Sequence, residues 1–106
     1  MSLSTHVLDA STGRPAAGVP VTLTDAGGTL LASENTDDDG RIAGLADRLE
    51  PGVYRLRFDT ATYFTAAEVT GFYPEIVVAF EVTDAAAKYH VPVLLSPYAY
   101  STYRGS

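Results

Sequence analysis

The sequence predicts an all-β domain: a two-sheet β-sandwich of seven to eight strands with one short helix. Three observations lead there. Short apolar–polar alternations of period two recur along the 106 residues. Clusters of Gly, Pro and Asp punctuate them. One segment only, Thr60 to Val69, abandons the period of two for a helical spacing. Seven or eight short strands pack as two facing sheets, and a composition of 46% hydrophobic residues supplies the core between them.

Taken in order, Ser4, His6 and Leu8 alternate with Thr5 and Val7 in a first strand. Asp9-Ala10-Ser11-Thr12-Gly13-Arg14-Pro15 is a loop by its turn chemistry. Val19 to Thr24 is a second strand, with Val19, Val21 and Leu23 on one face. Asp25-Ala26-Gly27-Gly28 closes a hairpin onto a third strand, Thr29 to Ser33, and the polar run Glu34 to Gly40 turns the chain again. Arg41 to Leu49 holds a short strand. After Pro51-Gly52, Tyr54, Leu56 and Phe58 point inward while Arg55, Arg57 and Asp59 point out. In the helix, Tyr63, Ala66 and Ala67 fall at i, i+3 and i+4, and Gly71 and Pro74 end it. Ile76, Val78, Phe80 and Val82 form another alternating face; Asp84 to Ala87 connects it onward, as a loop or one helical turn.

Lys88 to Leu95 is apolar on both faces: Tyr89, Val91, Val93 and Leu95 on one, His90, Pro92 and Leu94 on the other. Such a strand is covered twice, by the core on one side and by a partner subunit or ligand on the other. Pro92 has no N–H, so a bulge or an unpaired edge is expected there. The tail from Tyr98 to Ser106 pairs back through Ser96-Pro97.

Composition removes several function classes. A chain of this length buries roughly 60–70% of its unfolded surface, and no polar linker divides it. A net charge of −6 is wrong for a nucleic-acid or anionic-membrane surface. Without cysteine there are no disulfides, no thiol catalysis and no zinc–thiolate site. No apolar stretch approaches the roughly 20 residues of a membrane helix. The start, Met1 to His6, lacks a basic segment followed by an apolar run, so a cytoplasmic location is expected.

The candidate chemistry is sparse. His6 and His90 are the only histidines, the side chain best poised for proton transfer near neutral pH, and on their own they read as structural histidines of two strands. Asn35 to Gly40 matches the early positions of a calcium loop, but Ala46 stands where its bidentate glutamate belongs, so it reads as a tight acidic turn. No Gly-x-Ser-x-Gly elbow, HxH, HExxH or glycine-rich phosphate loop is present; no metal and no cofactor is expected. The tail carries two tyrosines, an arginine and a terminal hydroxyl where a chain end is usually polar filler; composition alone makes it a solvated edge strand.

The ending Ser96-Pro97-Tyr98-Ala99-Tyr100-Ser101-Thr102-Tyr103-Arg104-Gly105-Ser106 resembles the C-terminus of the 5-hydroxyisourate hydrolases, enzymes of the transthyretin-like family. The start, Leu3-Ser4-Thr5-His6-Val7-Leu8-Asp9, resembles that family's opening motif, and Asp39-Gly40-Arg41 its Asp-Gly-Arg. The resemblance spans essentially the whole chain, as one domain over 1–106; the Tyr-Arg-Gly-Ser ending is the part that separates the enzymes from hormone-carrying transthyretins. It implies a transthyretin-like sandwich and hydrolysis of 5-hydroxyisourate in urate degradation. It also implies catalytic roles for His6, Arg41 and His90, and a substrate pocket lined by Tyr103, Arg104, Gly105 and Ser106. The family assembly it implies is a homotetramer with sites at the dimer–dimer interface. The alternatives are a transthyretin-like carrier of small aromatic ligands, which needs no pair of proton-transfer groups, and a structural sandwich that uses its edges.

Overall fold

Period-two alternation places one face of each main strand against the opposite sheet and leaves the other outside. The computed structural model describes residues Met1–Ser106. In chain order its elements are β1 (Ser2–Asp9), β2 (Arg14–Pro15), β3 (Pro20–Asp25), β4 (Leu30–Asn35), β5 (Arg41–Ala46), β6 (Gly52–Phe58), α1 (Thr60–Ala66), β7 (Ile76–Val82), β8 (Lys88–Ser96) and β9 (Ala99–Thr102). One sheet runs β2-β1-β8-β9, with β5 also paired to β1; the other runs β4-β3-β6-β7. Nineteen buried apolar residues, among them Leu3, Val7, Val21, Leu56, Phe58, Ile76, Val93 and Leu95, form the core between them.

The expected strands all form, and the loop after β1 contributes one more. Arg14 and Pro15 pair with Asp9 and Leu8. The Asp9 carboxylate accepts from Ser11 N–H at 3.0 Å and from the Ser11 hydroxyl at 2.6 Å, closing a turn tight enough to fold Arg14 back.

The helix is shorter than expected and buries a different stripe. Thr60 and Phe64 face inward, whereas Ala66 and Ala67 are exposed. Asp59 caps the first turn through Thr62 N–H at 3.1 Å, and the large Phe64 ring, not two alanines, decides the buried face. The helix ends before Gly71: Val69 N–H bonds to Phe64 O and Glu68 N–H to Thr65 O, with Glu68 at φ 56°, a Schellman-type stop.

β1 and β8 lie parallel in the middle of their sheet, in unbroken register from Ser2–Lys88 to Asp9–Leu95. On the core side Thr5 Oγ1 donates to Val91 O at 2.7 Å and pins the two strands together. Of the two features expected at Pro92, the bulge is absent, but its position on the β9 side is unpaired. The β8–β9 ladder pairs Val93 with Thr102, lapses opposite Pro92, and resumes in the same register at a bridge between His90 and Gly105. The missing N–H is thus accommodated by a gap, and Pro92 O accepts from the Thr102 hydroxyl at 2.8 Å.

Candidate active site

The outer face of the β5-β1-β8-β9 sheet gathers residues that are far apart in sequence. β1 brings His6 opposite Arg41 of β5 and opposite Pro92 of β8. The neighbouring row holds Ser4 opposite His90, and Gly105 on the far side of His90. Continuing the tail register places Tyr103 opposite Pro92. No Asp or Glu stands in either row, although the whole chain carries −6.

His90 is held on two edges. Ser4 Oγ lies 2.7 Å from Nδ1. On the opposite edge Gly105 N–H donates to His90 O at 2.8 Å, and its Cα is so close that an added Cβ would collide with His90 Cδ2 and stand 3.1 Å from Pro92 Cγ. Burial first, then the Arg41 charge and His6, hold the imidazole below its usual range, and a hydrogen bond to the Ser4 backbone offsets only part of this. His90 is therefore neutral at pH 7, the form that accepts a proton.

Arg41 is delivered by the acidic turn. Asp37 Oδ1 accepts from the N–H groups of Asp39 and Arg41, each at 2.9 Å, so this carboxylate is engaged with the backbone. Gly40 adopts φ +73° and presses against Val7 O, where no side chain fits. Val7 N–H in turn donates to Gly40 O at 2.7 Å. Arg41 then emerges at the strand edge with no ion pair, the single salt bridge of the chain being Arg57–Glu75 at 2.7 Å.

The tail is divided between two faces. By register Tyr103 and Gly105 fall on the histidine face, while Tyr103 and His90 also border the cleft beside Arg104. Arg104 turns the other way: its guanidinium stacks 4.6 Å from the Tyr89 ring centroid and donates to Lys88 O at 3.2 Å. It rims a cleft of about 320 Å³ between β7 and the tail, lined by Val78, Phe80, Tyr89, Val91 and Thr102 among others. Ser106 follows Gly105 and is exposed. No cavity of the chain is lined by His6 or Arg41, so the histidine face is an open surface.

Of the residues singled out in the sequence, the structure thus brings together His6, Arg41, His90, Tyr103 and Gly105, and turns the Arg104 guanidinium to Tyr89, on a cleft that His90 and Tyr103 also border. Ser4 was not singled out in the sequence. Its spacing from His6 put both on one face, but its contact with His90 depends on a parallel pairing across 86 residues.

The family model described as "HIUase/Transthyretin family" matches residues 3–105. A 5-hydroxyisourate hydrolase of Salmonella typhimurium is 49% identical over 109 residues, covering 98% of this chain and 80% of that protein. The solved structure of Klebsiella pneumoniae 5-hydroxyisourate hydrolase superposes with a TM-score of 0.93 at 39% identity, over 100% of both chains. A transthyretin of Sparus aurata superposes with a TM-score of 0.90 at 34% identity, over 97% of this chain and 95% of that one.

Proposed function

The chain belongs to the HIUase/Transthyretin family, and we propose that it uses His6, His90 and Arg41 to hydrolyse 5-hydroxyisourate. It is a hydrolase of that substrate, like the relatives it matches; the residues and the mechanism are the proposal. One observation carries them: a sheet face without Asp or Glu side chains, on which two histidines and an arginine without an ion pair stand in adjacent rows.

The reaction opens a six-membered ring at an acyl C–N bond. One imidazole takes a proton from water while the water oxygen bonds to the acyl carbon. Charge then builds on the carbonyl oxygen, the C–N bond breaks, and the leaving nitrogen takes a proton from an imidazolium. Arg41 is the cation on this face available to stabilise the oxyanion and to orient the electron-rich ring. Tyr103 and Gly105 border the substrate at the tail end. Arg104 and Ser106 complete the pocket only if substrate or a second copy reaches the other side of the tail.

An open sheet face leaves water in contact with every catalytic group, and hydrogen bonds to an oxyanion are far stronger where water is excluded. A second copy of the chain laid over this face supplies the missing wall. The homotetramer with sites at the dimer–dimer interface is therefore part of the proposal, supported by exposed Leu94 on the same face of β8. A cytoplasmic location and a place in urate degradation complete it.

The test is direct. Added to freshly generated 5-hydroxyisourate, the purified protein should accelerate the absorbance decay well above the spontaneous rate; an unchanged decay would remove the proposal. Sedimentation should show a tetramer at micromolar concentration, and Leu94→Glu should dissociate it and lower activity. A wild-type monomer with full activity would refute the shared site.

A further inference from the structure

We propose that Ser4 is a positioning residue that sets the tautomer of His90: it holds the ring proton on Nδ1 and leaves Nε2 as the nitrogen that takes the proton from water. The catalytic half of this inference rests on the function proposed above; the tautomer half does not.

The contact between Ser4 Oγ and His90 Nδ1, at 2.7 Å, is the one side-chain-to-side-chain hydrogen bond that either residue makes, and the Ser4 backbone also favours a proton on the ring. A hydroxyl can donate to Nδ1 or accept from it, and the two cases give opposite chemistry at Nε2. If Ser4 donates, Nε2 carries the proton and cannot act as a base. If Ser4 accepts, Nε2 presents a lone pair.

The surroundings select the second case. The charged and titratable side chains on this face near His90 are Arg41, His6 and Tyr103, of which Arg41 and His6 act on its charge. Lys88 of the same strand is exposed two residues away, and Arg104 is turned to the opposite face. With a cation and no Asp or Glu side chain on this face, an N–H dipole aimed outward from the ring is disfavoured and a lone pair is favoured. The ring cannot escape by flipping. A flip would put Cδ2 against Ser4 Oγ and Nδ1 against Gly105, whose one N–H is already given to His90 O, so the hydrogen bond would be lost without replacement.

In this arrangement water gives its proton to Nε2 as its oxygen bonds to the acyl carbon. That proton passes on to the leaving ring nitrogen as the C–N bond breaks, so Nε2 is unprotonated again at the end of turnover. Ser4 touches neither water nor substrate; it acts through the imidazole, as the orienting member of a hydrolase triad acts through its histidine.

The experiment is long-range ¹H–¹⁵N NMR of the ¹⁵N-histidine-labelled protein at neutral pH, alongside steady-state kinetics, on the wild type, Ser4→Ala and Ser4→Thr. The wild type should show His90 protonated at Nδ1. Ser4→Ala should move it toward the Nε2–H tautomer, and lower kcat by about 10–100-fold, the range for losing a group that orients a histidine, with KM within about twofold. Ser4→Thr, which keeps the hydroxyl, should restore both readings. An Nε2–H tautomer in the wild type, or an unchanged tautomer or kcat in Ser4→Ala, would overturn the proposal. Protein showing the expected tautomers but no activity on 5-hydroxyisourate would overturn the functional reading while keeping Ser4 as the tautomer-setting residue.

Discussion

Gly105 is the seat of the His90 imidazole. Its N–H donates to His90 O at 2.8 Å, and the space that a side chain would occupy is taken by His90 Cδ2 and by Pro92 Cγ. In the chain itself the glycine of the tail makes room for a histidine ring, where the family resemblance implied only that it lines the substrate pocket.

Gly105→Ala should therefore displace the ring and not unfold the protein. A misplacement on the order of 1 Å costs about 10²-fold in rate, so kcat should fall by about that much. The melting temperature should move little, since the tail lies at a sheet edge. Wild-type kcat in a folded Gly105→Ala protein would show that ring position is not critical.

His90→Asn should lower the chemical step by about 10²–10⁴-fold, the range for a lost general acid–base group. His6→Asn measured beside it ranks the two histidines. Circular dichroism should be unchanged in both, because each side chain is only half buried and Asn remains polar. Unaltered turnover in either variant would take that histidine out of the mechanism.

The pH profile follows from the depressed His90 pKa, whose causes in order are burial, Arg41 and His6. The group is active when neutral, so the acid limb of kcat/KM should lie below pH ~6.5, the ordinary histidine value. Replacing Arg41 by Gln removes one depressing charge and should move the limb upward, alongside the catalytic loss. The NMR titration of His90 should move the same way. For stability the sign is also set: the unfolded chain takes up this proton more readily than the folded one, so stability should fall as pH drops through about 6.5.

A second linkage concerns Asp9, a buried carboxylate that ties β1 to α1. Burial pushes its pKa up, but donors from Ser11, Tyr63 and Thr12 outweigh this and leave it below its usual value. The Tyr63 hydroxyl donates at 2.8 Å, and burial followed by the Asp9 charge pushes its own pKa up to about 12. A lowered carboxylate pKa contributes stability above the unfolded value, near 4, that is lost as pH falls through the folded value. Tyr63→Phe should cost about 1–2 kcal/mol at pH 7, read by chemical denaturation, and less once Asp9 is protonated. An equal loss at pH 7 and pH 2.5 would rule out a role for the Asp9 charge.

The sequence by itself determined the strands, the turns and the inward faces, because these follow from interactions within a few residues. Tyr54, Leu56 and Phe58 are buried as their alternation requires, and Asp37-Asp38-Asp39-Gly40 makes the turn its residue types demand. The helix stripe was misread because spacing does not rank Phe64 against two alanines, whereas packing does. The resemblance at both chain ends singled out His6, Arg41, His90 and the tail. What only the tertiary structure decided is which of them meet. Ser4 faces His90 across 86 residues of chain, and His6 faces Arg41 through a β1–β5 register that shifts between Leu3 and Thr5. Arg104 turns to Tyr89 while its neighbours turn to the histidines. These juxtapositions come from strand pairing, and register is set by how two whole faces pack, so no local pattern contains it.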